Sequence, residues 1–178
     1  MQSTSLLQAQ SSPSSTNLKI SLELSLKHLA WSNQKFFSYF ADLPDEVFGF
    51  RAAEGEWPVG QILTHFAGSG EWYSYCLSGA QWTDLKPITS GSIAREYLPI
   101  MAKLDGHLLE NLSLPDDVLD VESEEGIIHP TRSLILSQAV MHSAEHKGQI
   151  ATIMRQHGHH IDLDALDVWN FVSRTKSQ

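Results

Sequence analysis

Cysteine is all but missing from this chain. Cys76 is the one example in 178 residues, so an intrachain disulfide framework is excluded and a reducing compartment is expected. Positive charge is scarce as well: 12 Lys and Arg stand against 21 Asp and Glu, a formal charge of −9. The few basic residues are scattered, whereas a nucleic-acid backbone or an anionic membrane needs them clustered. Neither partner is expected. No run approaches the roughly 18–20 apolar residues that span a bilayer, and the N-terminus carries neither a basic segment nor a long apolar one of the kind that directs secretion. What is present is 42% hydrophobic residues, enough for one sizeable core, and the expectation is a single cytoplasmic domain.

Residues 1–16 are rich in Ser and Gln, with Pro13 among them, a composition that cannot offset the entropy of ordering and reads as a disordered tail. Residues 17–175 make up the domain. With Thr16 as N-cap, Leu22, Leu26, Leu29, Phe36 and Phe40 recur at spacings of three, four and seven, which predicts a helix that stops before Pro44. A polar link over 50–56 leads to Trp57-Pro58, where proline costs a first helical turn nothing. The second helix runs to about Ser78, with Gly79 as its left-handed cap. A third spans about Ser90 or Ser92 to Leu112, and Pro99 either kinks it or marks its true start. The acidic stretch 114–131 reads as a long connection with a short extended piece at Gly126-Ile127-Ile128. A fourth helix follows from about Thr131 to His157, closed by Gly158. A short one from about Asp164 to Ser173 would pack Leu166, Trp169 and Val172 on the rest. The prediction is all-α: a four-helix bundle with a short C-terminal helix.

The sharpest chemical signal is His142-Ser-Ala-Glu-His146 in the fourth helix. Residues four apart differ by only ~40° around a helix axis, so both imidazoles leave one face, one turn apart, close enough to share a metal ion. Ile135, Ala139, Gln149, Ile150 and Ile153 share that arc, which points the pair at the interior. The competing reading is two core histidines, each satisfied by hydrogen bonds. That reading is demanding, because each buried ring carries a donor and an acceptor. His65, on the second helix with Pro58, Ile62, Ser69, Trp72 and Cys76 on its arc, is the candidate third ligand and is likewise expected to face the core. A trio of histidines leaves coordination positions open, as a catalytic site does.

Two other metal motifs fall short. His142-x-x-Glu145-His146 also fits an inverted zinc-peptidase string, but those enzymes take a third ligand from a downstream Glu and none follows Glu145. A di-iron bundle needs two Glu-x-x-His pairs, and the chain has none. His157, His159 and His160 read as a solvated cluster at a helix end. His28, His107 and His129 have no partner at ligand spacing, and Cys76 reads as core filler. Trp72, Tyr73 and Phe36 or Phe37 are the expected pocket walls.

Trp57-Pro-Val-Gly-Gln-Ile-Leu-Thr-His65 followed by Trp72, and His142-x-x-x-His146-Lys-Gly-Gln-Ile150 continuing to Met154-Arg-Gln-His-Gly158, resemble motifs of the DinB/YfiT-like metalloenzymes. His28-Leu-Ala-Trp31-Ser-Asn33 is similar to the family's first helix, and the likeness covers about residues 18–173. It implies an up-down-down-up bundle, a homodimer, and one divalent metal, zinc or nickel, held by three histidines that match His65, His142 and His146. It further implies chemistry on a small molecule with a low-molecular-weight thiol. Relatives often carry Glu four residues before the first metal histidine. Here that position is Gln61, which can orient an imidazole but cannot take up a proton.

The resulting expectation is a metal-dependent enzyme of the thiol S-transferase kind. Glu145, Gln149 and Gln61 are the candidates for proton handling or ligand orientation. A metal-dependent hydrolase, and a metal-stabilised dimeric bundle without turnover, are the alternatives.

Overall fold

The computed structural model describes residues 15–175. The tail expected at 1–16 lies, as far as residue 14, outside the described residues. Four long helices carry the chain: α1 (Ser15–Ala41), α2 (Val59–Ser78), α3 (Gly91–Asn111) and α4 (Arg132–Gln156), with a short α5 (Val168–Thr175) at the end. Because α1 already includes Ser15, Thr16 is not its cap. Ser90 and Thr131 do cap α3 and α4, their hydroxyls accepting from the Ile93 and Leu134 N–H groups. Gly79 closes α2 with φ 69°, the left-handed backbone that favours glycine. α3 continues through Pro99 rather than starting there.

Side-chain pairings fix the directions of the helices. Asn33 meets Asp105 and Arg95 meets Asp42, so α1 and α3 run antiparallel. Asn33 also meets Ser143 and Ser32 meets Lys147. Phe36 and Phe40 share an apolar cluster with Ile150 and Met154, and Leu29 shares another with Leu136 and Ala139. α1 and α4 therefore run parallel. His65 lies beside His142 and His146, while Tyr73, two turns on, lies beside His142. That reverses α2 relative to α4 and gives the up-down-down-up order.

The extended piece expected at Gly126–Ile128 is present as β2, and it pairs in an antiparallel hairpin with a strand that was not foreseen, Val121–Ser123 (β1). A 3-10 turn at Asp45–Gly49, also unforeseen, buries Val47 and Phe48 against the bundle. One packing expectation is corrected. Trp169 is 81% exposed, and Phe171 docks α5 instead, its ring 5.6 Å from Trp31 and 5.9 Å from His28. His28 Nε2 donates to the Leu166 carbonyl at 2.7 Å and pins the same segment. No helix among the described residues is long and apolar enough to cross a membrane.

The core is split by a polar layer. One apolar cluster centres on Phe36, Phe37, Ile62, Leu63, Tyr97 and Met154, the other on Leu26, Leu29, Leu77, Leu108 and Leu136. Between them Asn33 donates to both oxygens of Asp105 at 2.9 and 3.1 Å and accepts from the Ser143 hydroxyl at 3.0 Å. Lys147 donates to the Ser32 hydroxyl at 2.6 Å, and that hydroxyl donates to the Leu29 carbonyl. Buried polar groups are costly unless they are bonded, and these are bonded to one another. Burial pushes the Asp105 carboxyl up to about 7, against the pull of Asn33 and Lys147, and pushes the Lys147 amine down to about 7.

Candidate metal centre

Ser143 and Lys147 face inward from α4, so their neighbours His142 and His146 turn toward α2 at the level of the polar layer. There they meet His65. The Nε2 atoms of His65 and His142 lie 3.3 Å apart, and those of His142 and His146 lie 2.8 Å apart. One nitrogen from each of the three rings lies within 4.8 Å of the others, an arrangement that could hold a metal ion. An ion with metal–nitrogen bonds of about 2.0–2.1 Å spaces its ligand nitrogens about 3.3 Å apart in a tetrahedron and about 2.9 Å apart at an octahedral right angle. The observed spacings are close to these.

The protonation of the rings supports the same fit. His146 Nδ1 is 2.9 Å from the Gln149 side-chain oxygen, an acceptor, so Nδ1 carries the proton and Nε2 presents its lone pair to the other two rings. Burial lowers the pKa of His142 to about 4, with His146 and His65 adding to the effect and Glu145 opposing it. His65 is lowered too, by burial first and His146 second. Neutral imidazoles at neutral pH are the form a metal takes.

Exposure departs from expectation at His65. His146 is buried and His142 half-buried, but His65 is exposed. The buried face of α2 passes through Ile62, Leu63, Phe66 and Ala67, which leaves His65 at its margin with one side open. Trp57 stands edge-on to that ring at 5.2 Å.

The other candidates separate. Gln149 is exposed and bonded to His146; Glu145 is exposed on the same helix, near enough for its charge to act on His142. Gln61 is exposed and lies in a groove with His65, yet it makes no hydrogen bond to any of the three rings. Tyr73 does reach the site, 6.1 Å from the His142 ring. Phe36 and Phe37 are fully buried in the core, while Trp72 stacks with Tyr75 and Trp82. The groove beside His65 is built by Phe48, Trp57, Pro58 and Ile88 instead. Phe48 comes from the 3-10 turn, Trp57 and Pro58 from the entry to α2 and Ile88 from the link before α3, segments where no periodic pattern marks a position as buried. Cys76 is buried with its thiol pushed up to about 11, an inert core group. His157 stacks on Phe50 at 4.2 Å and donates to the Arg51 carbonyl, tying the link before α2 to the end of α4.

Comparison with known proteins agrees with this architecture. A crystal structure of a DinB-like protein from Bacillus cereus has a similar fold, with a TM-score of 0.58 and 23% identity over 76% of this chain and 90% of that one. No curated protein matches. The DinB family profile matches residues 14–167, a span that holds all four long helices and the three histidines. The chain belongs to the DinB family.

Proposed function

We propose that the protein is a metal-dependent enzyme that holds one divalent ion, zinc or nickel, on His65, His142 and His146, and that it transfers a small thiol to an electrophilic substrate. The observation that carries this reading is the convergence of three imidazole Nε2 atoms, with the His146 ring oriented by Gln149 at its Nδ1. A bound divalent ion supplies Lewis acidity, lowering the pKa of a thiol or water brought to it. The chain's own residues do the rest. Gln149 sets the tautomer and orientation of His146, as outer hydrogen bonds do for metal-ligating rings. Glu145, exposed and near His142, is placed to accept a proton released as the thiol ionises. The polar layer behind the site holds α4 in the rotation that turns both its histidines to α2. The reading also includes a homodimer: Leu134 and Met141, 60% and 69% exposed and two turns apart on α4, are apolar side chains for a second copy to cover.

The test is to incubate metal-loaded protein with a low-molecular-weight thiol and a generic aryl electrophile, alongside the His65/His142/His146 triple-alanine variant. Thiol-dependent product above the variant's rate supports transfer. Product formed equally well without thiol assigns hydrolysis. Stoichiometric metal with no turnover of either kind assigns a structural site.

A further inference from the structure

The groove beside His65 differs in chemistry from the rest of the surface. It encloses about 500 Å³, within the size range of small-ligand clefts. Nineteen per cent of the chain is charged, and the net charge is −9, yet none of the ten residues lining this groove is Asp, Glu, Lys or Arg.

The walls are fixed before any ligand arrives. Phe48 and Ile88 are 4% and 1% exposed. The Thr64 hydroxyl donates to the Gly60 carbonyl and accepts from the Ile88 N–H, both at 2.8 Å, so its polarity is used within the wall. A Cβ on Gly60 would lie 2.1 Å from the Ile88 carbonyl oxygen; the link before α3 therefore rests directly on α2. Trp57 is 46% exposed and lines the groove beside His65, its ring edge-on to the imidazole at 5.2 Å. A charged group entering here would give up hydration and find no counter-charge. A flat uncharged ring would find Trp57 for edge or offset stacking.

We propose that this groove receives an uncharged aryl group of the substrate while the reacting end lies at His65, His142 and His146, and that Trp57 selects for that group. The inference rests on the three-histidine reading and adds the substrate class to it. An aryl electrophile would then be held beside the site at which the thiol is activated.

The full chain is loaded with cobalt(II), whose visible absorption reports the histidine environment, and titrated with benzohydroxamate and with acetohydroxamate. These probes offer the same metal-binding end and differ in the aryl group. The wild type is expected to bind benzohydroxamate at least about tenfold more tightly, the discrimination a buried ring provides over a methyl. In Trp57→Ala that ratio collapses toward one with the cobalt spectrum unchanged, and Trp57→Phe restores much of it. A ratio that is the same in wild type and Trp57→Ala, with cobalt bound in both, overturns the proposal while leaving the metal centre standing. If wild type takes up no cobalt, the three-histidine reading fails, and the groove is judged on the metal-free protein. There, benzyl alcohol that shifts the Trp57 indole signal supports the aryl site, and no shift at that signal overturns it.

Discussion

His146 is held from both sides: its Nδ1 proton goes to Gln149, and its Nε2 lone pair faces His142. Removing the Gln149 acceptor frees the tautomer without touching a ligand. Gln149→Leu is therefore expected to weaken metal affinity about 10–100-fold, while Gln149→Glu, which still accepts, stays near wild type in a competition titration with a chromophoric chelator. Asp105 gives a pH signature of its own. Its folded pKa of about 7 lies above the ordinary 3.8, so between those values the folded protein keeps a proton that the unfolded chain has released. Stability is present below about pH 4, falls as pH rises through that window, and the loss is complete above about 7. Asp105→Asn removes this titration. The melting temperature of metal-free variant relative to wild type should rise between pH 4 and 7; parallel curves would contradict the assignment. Much of this scale was legible in the sequence, since spacing alone brings His142 and His146 to one face. The exposure of His65 was not, because it depends on how far α2 rolls into the core, which Ile62, Phe66 and Ala67 decide together.

At the scale of elements, α4 matters most because it carries two of the three histidines. Its first turn is capped by the Thr131 hydroxyl on the Leu134 N–H at 3.2 Å. Thr131→Ala is expected to cost about 1 kcal/mol in denaturant unfolding and to leave metal content unchanged. α5 offers a sharper contrast. Phe171, 9% exposed, packs on His28 and Trp31, whereas Trp169 is 81% exposed. Phe171→Ala should destabilise by about 3 kcal/mol, and Trp169→Ala by under about 0.5 kcal/mol. The reverse order would mean that α5 docks by its other face. The sequence pointed to Trp169 because a helix starting at Asp164 puts Leu166, Trp169 and Val172 on one arc, whereas Asp164–Leu166 is a separate 3-10 turn and α5 starts only at Val168. The ends at Gly79, Ser90 and Thr131 were legible, since these residues have local chemistry that needs no tertiary partner, whereas Thr16 lies inside α1. β1 was not: Val121–Ser123 has one buried residue in three, and its strand partner is the equally short β2.

At the scale of the molecule, the bundle gives up part of its apolar core to a polar layer of Ser32, Asn33, Asp105, Ser143 and Lys147, and the histidines lie at the rim of that layer. A continuous apolar core would bury more hydrocarbon, but it would leave the rotation of α4 to packing alone. The bonded layer couples that rotation to α1 and α3. The bundle itself followed from helical periodicity, but the layer could not be read from the sequence: Asn33 and Asp105 are 72 positions apart. The central claim concerns three side chains and one ion, and elemental analysis of protein purified without an affinity tag tests it most directly. One equivalent of zinc or nickel per chain in the wild type, falling by at least about tenfold in occupancy in His142→Ala, is the predicted result. Equal metal content in the two proteins would contradict it.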